Sequence, residues 1–144
     1  PERFHSVKSG LKNVCDNELV IIHDGSRPFP SKTTITNVVE VALRKGNAVP
    51  AIEISDSVRE HQGKFNQTVD RGKLKLVQTP QAFTGSLIKK AYNQQFDQRF
   101  TDDSTVFETT GNAINLVEGN VENIKITHPA DIIYAKALHQ HIVS

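Results

Sequence analysis

In the first part of the chain, continuous apolar runs flank a segment in which apolar residues recur with helical spacing. Residues 19–22 are four consecutive large apolar residues, which is typical of a strand buried on both faces in a parallel sheet. Apolar side chains then recur every three or four positions, which predicts a helix that begins after Ser31 and ends at Gly46. Residues 48–54 predict a second strand. This order predicts a β-α-β unit with a right-handed crossover and parallel strands.

A polar segment between residues 56 and 70 interrupts this alternation. Gly63 lies at its centre, so we expect a β-hairpin with its turn at residues 62–64. A hairpin this polar has little apolar surface to bury, and it needs support from elsewhere, for example from a second subunit. A mobile surface loop is the alternative that the local sequence leaves open.

Shorter elements are predicted in the rest of the chain. Strands are expected at residues 74–78, 113–117 and 121–126. Helices are expected to begin at Ser6, near residue 86, within residues 101–104 and at Thr127, the last with an inward stripe of Ile132, Ile133, Ala137 and Leu138. No repeat or linker interrupts residues 1–144, so we predict one domain. Its predicted class is α/β, with three layers and a mostly parallel, Rossmann-like sheet.

Composition excludes several classes of protein. A net charge of +1 with 37% hydrophobic and 23% charged residues is typical of a globular domain and gives no support for a nucleic-acid partner. Cys15 is the single cysteine, which excludes an internal disulfide and a cysteine-rich zinc site. No apolar run has membrane-spanning length and no signal peptide is visible, so we expect no membrane partner and a cytoplasmic location.

The candidate chemistry lies at the ends of predicted strands and the starts of predicted helices. Asp24 and Arg27 directly follow the first strand, where open α/β sheets bind their ligands. Comparable positions are held by Arg71, Thr79, Thr101 and Lys125, and Arg3 with Ser6 could bind phosphate at a helix N-terminus. Cations with short hydroxyls suit phosphate and sugar hydroxyl groups. A local Asp–Arg ion pair and ordinary solvated polarity are the alternatives, and no P-loop, glycine-rich dinucleotide motif or zinc-ligand spacing is present.

Five short motifs, together with residues 3–11, carry a resemblance to a known family. In chain order they are residues 23–28 (His-Asp-Gly-Ser-Arg-Pro), 68–71 (Thr-Val-Asp-Arg), 78–83 (Gln-Thr-Pro-Gln-Ala-Phe), 101–103 (Thr-Asp-Asp) and 122–127 (Glu-Asn-Ile-Lys-Ile-Thr). Taken together they resemble the 2-C-methyl-D-erythritol 4-phosphate cytidylyltransferase family over essentially the whole chain. The resemblance implies that residues 1–144 are the C-terminal part of a single domain of the nucleotide-diphospho-sugar transferase type, with a protruding β-hairpin arm at about residues 56–71.

The resemblance also implies an activity and a set of contacts. The implied reaction is CMP transfer from CTP to methylerythritol phosphate with release of pyrophosphate, assisted by Mg²⁺ or another divalent cation. The implied CTP contacts are Ser6, Asp24, Gly25, Arg27 and Lys125. The implied contacts to the methylerythritol phosphate are Asp24, Arg27, Ser57, Arg71, Thr79, Thr101 and Lys125. The family forms a homodimer through its arm, which implies that Ser57 and Arg71 serve the neighbour's site.

This sequence departs from the family pattern in three places. Ser57 stands where the family usually has threonine, and Gly25-Ser26 replaces the commoner Ala-Ala. The family's N-terminal Gly-rich segment, with an arginine and a lysine that hold the triphosphate, has no counterpart here. We therefore expect no catalytic residue in this chain, and little or no transfer by the 144 residues alone. A D-ribitol-5-phosphate cytidylyltransferase and a non-catalytic dimerising remnant of the fold are the alternatives.

Overall fold

Five helices and seven strands make up the described part of the protein. The structure, a computed structural model, describes residues 2–143, with side chains up to residue 142. The helices are α1 (Arg3–Gly10), α2 (Lys32–Lys45), α3 (Gly85–Ala91), α4 (Asp103–Glu108) and α5 (Pro129–Val143). The strands are β1 (Leu19–Ile22), β2 (Asn47–Glu53), β3 (Val58–Gln62), β4 (Phe65–Val69), β5 (Lys75–Val77), β6 (Gln81–Thr84) and β7 (Leu116–Glu118). The prediction of an α/β chain is confirmed.

The main sheet has five strands and is mostly antiparallel, so the prediction of a mostly parallel sheet is wrong for the described residues. β6 lies between β1 and β2 and runs antiparallel to both. β5 is also antiparallel to β2, and only the pairing of β2 with β7 is parallel. Because β1 and β2 both oppose β6, they run in the same direction, as the β-α-β pattern predicts, but they are not neighbours. β6, where no strand is predicted from the sequence, lies between them.

β6 was missed because it is only four residues long and directly follows Pro80. Together with β5 it occupies one edge of β2: Asn47 and Ala48 pair with β6, and Ala51–Glu53 pair with β5. Residues 78–80 separate these two strands. This break places the buried side chains of Gln78 and Thr79 at the candidate site.

Helices cover both faces of the main sheet. On one face Val38 and Ala42 of α2 pack against Ala48 and Ala82. The other face carries the larger cluster, with members from α1, α3 and α4: Phe4, Leu11, Val49, Phe83, Ile88, Ala91, Tyr92, Val106 and Phe107. Successive residues of β2 and β6 point to opposite faces, so each strand contributes to both clusters. This packing fixes the position of α4 and of the β1 end relative to each other.

The predicted ends of α2 are confirmed. The Ser31 hydroxyl accepts a hydrogen bond from the Thr34 backbone N–H at 3.0 Å, as an N-cap does. Gly46 adopts φ 85°, the left-handed conformation that ends many helices at a glycine. The helix therefore carries its apolar face onto the sheet with both ends defined by the sequence.

Three predictions about the other helices and strands are wrong. Ser6 is not an N-cap, because α1 begins at Arg3 and Ser6 lies on its exposed side. Residues 121–126 form a loop rather than a strand, since the buried Asn123 side chain donates to the Thr79 backbone carbonyl at 2.8 Å. Thr127 was expected to accept a hydrogen bond as the N-cap of α5. Instead the Asp131 carboxylate accepts hydrogen bonds from the Thr127 hydroxyl and backbone N–H.

The apolar stripe predicted for α5 does not face inward within residues 2–143. Ile132 and Ala137 are exposed, Leu138 is only partly buried, and Ile133 is 72% exposed. Ala135, outside the predicted stripe, is the buried residue. Helical periodicity identifies an apolar face, but it carries no information about the surface that covers that face.

The segment between β2 and β5 forms a hairpin. β3 and β4 pair antiparallel from Val58–Val69 to Gln62–Phe65, as a two-stranded sheet of their own. Gly63 has φ 59° at the predicted turn, which favours glycine. Almost all of its side chains are exposed, and Phe65 is 82% exposed.

Candidate functional site

A pocket of about 390 Å³ opens beyond the carboxyl end of β1. Six of its lining residues are candidates from the sequence, namely Arg3, Asp24, Arg27, Thr79, Thr101 and Lys125. Six further polar residues also line it, namely Gln78, Gln81, Asp102, Ser104, Thr105 and Glu108. The pocket thus combines three cations, three carboxylates and several hydroxyl groups.

Asp24 is the centre of charge in this pocket. Its Oδ1 accepts from Arg3 Nε at 2.9 Å, and its Oδ2 lies 3.0 Å from Lys125 Nζ. Arg27 Nε is 4.0 Å from the same Oδ2. Burial by itself raises the pKa of Asp24, but Lys125 and Arg3 outweigh it and hold that pKa below its usual value. Asp24 is therefore a carboxylate at neutral pH and holds three cations around one point.

Arg3 links this centre to the core through a second carboxylate. Its Nη2 donates to Asp103 Oδ2 at 2.6 Å, and the Tyr92 hydroxyl donates to Asp103 Oδ1 at 2.6 Å. Burial opposes the charge of Arg3, but Asp103 and Asp24 outweigh it and raise its pKa. Burial and the Asp103 charge also raise the pKa of Tyr92. The Arg3 guanidinium is therefore fixed between two carboxylates, one at the pocket and one in the core.

Arg27 is held mainly by backbone oxygens. Its Nη1 donates to the Asn123 carbonyl at 2.7 Å, and burial lowers its pKa despite the nearby Asp24 carboxylate. Its Nε has no hydrogen-bond partner among residues 2–142. A buried donor without an acceptor is costly, so an incoming oxygen atom or a small shift of Asp24 toward it would be favourable.

Asp102 caps α4 and is saturated by hydrogen bonds. Its Oδ1 accepts from the Thr105 backbone N–H at 2.9 Å and from the Thr105 hydroxyl at 2.6 Å. Its Oδ2 accepts from the Ser104 hydroxyl at 2.6 Å and from Gln81 Nε2 at 2.7 Å. Burial raises its pKa, but these bonds outweigh burial and lower the pKa overall. Asp102 therefore organises the pocket wall rather than offering a free oxygen to a ligand.

The comparisons with known proteins identify the family. The family model described as 2-C-methyl-D-erythritol 4-phosphate cytidylyltransferase matches residues 1–141. The chain belongs to this family. A curated cytidylyltransferase of that name from Phocaeicola vulgatus is 46% identical over 136 residues, which cover 94% of this chain and 62% of the relative. The corresponding protein of Bacteroides fragilis is 47% identical over 136 residues, with the same coverage. The chain therefore spans about 62% of the length of these relatives.

Solved structures of cytidylyltransferases share this fold. The crystal structure of the 2-C-methyl-D-erythritol 4-phosphate cytidylyltransferase from Thermus thermophilus superposes with a TM-score of 0.84 at 34% identity, covering 96% of this chain and 69% of that one. A 4-diphosphocytidyl-2C-methyl-D-erythritol synthase from Anaerococcus prevotii gives a TM-score of 0.86 at 33% identity, covering 97% and 65%. Within residues 2–143, no helix is long and apolar enough to span a membrane.

The residues that the cytidylyltransferase resemblance singles out fall into two groups. Asp24, Arg27, Thr79, Thr101 and Lys125 line the pocket. Ser6, Gly25, Ser57 and Arg71 do not line it. Gly25 is exposed on the loop after β1, and Arg71, at the base of the hairpin, donates to the Ser55 backbone carbonyl. The hairpin residues therefore lie outside the pocket of their own chain.

A pattern in the sequence could have revealed two of the pocket residues that were not candidates, Thr105 and Glu108. Thr101, Thr105 and Glu108 are spaced four and three residues apart, as residues on one face of a helix are. Thr105 and Glu108 lie in α4, and Thr101 directly precedes its N-cap. Arg3 is a phosphate-binding candidate from the sequence, but its contacts with Asp24 and Asp103 could not be predicted, because both residues are distant in the sequence.

The described residues of the chain do not form a resident metal site. Residues 2–143 contain no group of three or more His, Cys, Asp or Glu side chains that could hold an ion. In the pocket, both oxygens of Asp24 contact cations, and both oxygens of Asp102 are saturated. The pocket carboxylates therefore do not form a set of ligands for a divalent cation.

Proposed function

We propose that this chain forms the part of a cytidylyltransferase site that holds the acceptor phosphate and part of the nucleotide. The whole site would transfer CMP from CTP to 2-C-methyl-D-erythritol 4-phosphate. The observation that carries this proposal is the cluster of Arg3, Arg27 and Lys125 around Asp24 in one pocket, next to threonine hydroxyls. These side chains belong to the motifs by which the chain resembles its family.

The proposed reaction is a displacement at phosphorus. An oxygen of the acceptor phosphate attacks the α-phosphorus of CTP, the bond from that phosphorus to the bridging oxygen breaks, and pyrophosphate leaves. Two anionic phosphate groups must approach each other, so positioning and neutralisation of charge supply most of the rate enhancement. Arg27 and Lys125 provide positive charge at the pocket, and Asp24 prevents those cations from moving apart.

The proposed contacts follow the two sides of the pocket. Ser6, Asp24, Gly25, Arg27 and Lys125 are proposed on the nucleotide side. Asp24, Arg27, Thr79, Thr101 and Lys125 are proposed to face the acceptor. We propose that Mg²⁺ or another divalent cation is held by the nucleotide phosphates and water, which is a common mode for Mg²⁺. None of the residues in this chain is proposed to be catalytic.

We further propose a homodimer in which the hairpin carries Ser57 and Arg71 to the site of the neighbouring subunit. The hairpin is an isolated two-stranded sheet with exposed side chains, which is marginal in water by itself. A groove of about 710 Å³ lies near its base, lined by Ser55 and by the exposed apolar residues Leu76 and Leu116. A second copy of the chain would cover this apolar surface.

Phe65→Asp is expected to weaken the dimer at least about tenfold, since it places a charge on the most exposed aromatic side chain of the hairpin. Sedimentation equilibrium measures the dissociation constant. Leu43→Asp is the matched control, because Leu43 is 68% exposed on α2, which is not part of the hairpin. Equal weakening by both variants, or a monomeric wild-type chain, would contradict the proposed dimer.

A hybrid enzyme tests the proposed activity. This chain replaces the 136 matched residues of the Bacteroides fragilis relative, which supplies the remainder of its own sequence. With CTP and Mg²⁺, we expect pyrophosphate release with 2-C-methyl-D-erythritol 4-phosphate and at least about tenfold lower kcat/KM with D-ribitol 5-phosphate. The relative is the control for the assay. A hybrid that folds but prefers ribitol phosphate would favour the sister activity, and one that uses neither acceptor would favour a non-catalytic role.

A further inference from the structure

The direction of the hydrogen bonds around α4 determines what Thr101 can offer to a ligand. The hydroxyl of Thr105 lies 2.6 Å from Asp102 Oδ1, and a carboxylate can only accept, so Thr105 uses its single hydroxyl proton there. The Thr101 hydroxyl lies 3.1 Å from the Thr105 hydroxyl. Thr101 must therefore be the donor in that contact, and only its lone pairs remain for the pocket.

An independent set of contacts also uses the hydroxyl proton of Thr79. His23 Nε2 lies 2.9 Å from the Arg27 backbone carbonyl, which can only accept, so this contact selects the ring tautomer with its proton on Nε2. His23 Nδ1 is then an acceptor, and it lies 3.0 Å from the Thr79 hydroxyl. Thr79 donates to His23 and accepts from the Asp24 backbone N–H at 3.0 Å. One lone pair of the Thr79 hydroxyl remains.

We propose that Thr105 and His23 are positioning residues that fix the two pocket threonines, Thr101 and Thr79, as hydrogen-bond acceptors. This inference rests on the proposed function and deepens it, because it separates the two halves of the acceptor. The wall formed by the threonines receives the hydroxyl groups of the polyol, which can donate. The phosphate, which at neutral pH offers almost only acceptors, belongs to the cations instead.

This division follows from the need to satisfy every polar group in a partly buried site. A phosphate oxygen facing Thr101 or Thr79 would meet lone pairs and would be repelled. A ligand hydroxyl can donate to the threonine lone pair and still accept from a neighbouring cation. The pocket therefore discriminates by hydrogen-bond polarity as well as by charge, and a phosphate monoester without hydroxyl groups would lose this recognition.

The test measures dissociation constants for this chain by isothermal titration calorimetry with three probes. They are 2-C-methyl-D-erythritol 4-phosphate, analogues in which one hydroxyl is replaced by hydrogen, and inorganic phosphate. Thr105→Val frees the Thr101 proton, so we expect binding of the parent compound to weaken about fivefold. Thr105→Ser keeps the hydroxyl and is expected to rescue most of that loss. Phosphate binding is expected to be unchanged or tighter in Thr105→Val, because the freed hydroxyl can donate.

The analogues separate positioning from a general structural defect. The analogue that lacks the hydroxyl facing Thr101 is expected to bind wild type and Thr105→Val equally well. His23→Phe is a second variant that does not touch the cap of α4, and it should show the same pattern with a different deoxy analogue. Equal weakening of all probes by the variants would overturn the inference while leaving the proposed function intact. A wild-type chain that binds CTP but no polyol phosphate would overturn both.

Discussion

Asp24→Asn is expected to reduce kcat/KM for CMP transfer by about 100-fold in the hybrid enzyme, equivalent to about 2.7 kcal/mol of transition-state stabilisation. The substitution preserves size but removes the charge that holds Arg3 at 2.9 Å and Lys125 at 3.0 Å. An amide also points an NH₂ group at one of these cations. The cations would separate, and neither reacting phosphate would be held in line with the other.

Steady-state kinetics with both substrates varied measures this effect. Asp16→Asn is the matched control, because Asp16 also pairs with a lysine, Lys89 at 2.6 Å, but outside the pocket. Thermal unfolding of both variants separates loss of activity from loss of fold. An unchanged kcat/KM in Asp24→Asn would show that the cation cluster is not used, which removes the main support for the proposed site.

The position of the pocket could be predicted from the sequence because it follows from local rules. Residues 19–22 had to form a strand, and His23–Arg27 could not continue it, so polar groups had to collect at its end. The predicted helix start within residues 101–104 and the motif around Lys125 placed further polar groups at element boundaries. These signals need only neighbouring residues, and a chain of this length has few ways to arrange them.

The direction of the sheet could not be predicted in the same way. Whether β1 and β2 are neighbours depends on β6, a strand of four residues that is distant from both in sequence. Apolar runs are typical of buried strands in either kind of sheet. Likewise, the exposed stripe of α5 shows that periodicity predicts a helix face and leaves its partner undetermined.

The hydrogen-bond polarity of the pocket was also beyond the sequence. Thr79 and Thr101 were candidates as hydroxyl-bearing residues, and their type alone allows them to donate or accept. Their direction depends on His23 and Thr105, which in turn depend on acceptors at Arg27 and Asp102. A network of this kind is specified by three-dimensional contacts, since each proton can be assigned only after its acceptor is known.

Among the substitutions proposed for this chain, replacement of Asp103 is expected to have the largest effect on stability. An acidic residue in the first turn of a helix predicts an exposed side chain that favours the helix dipole. Asp103 is instead 0% exposed and accepts from Arg3 and Tyr92. Asp103→Ala is expected to lower the free energy of unfolding by about 3 kcal/mol, because it leaves Arg3 without its core partner and Tyr92 without an acceptor.

Urea denaturation of the chain at neutral pH measures this difference. The value lies at the lower end of the usual cost of breaking a buried ion pair, because the Arg3 side chain remains 34% exposed and water can solvate it. Tyr92→Phe removes one hydrogen bond and keeps the ion pair, so its expected cost is about 1–2 kcal/mol. Asp56→Ala, on the exposed side of the chain, is the control and should change stability by no more than about 0.5 kcal/mol. If Asp103→Ala behaved like this control, Arg3 would not be fixed from the core, and the geometry around Asp24 would need another support.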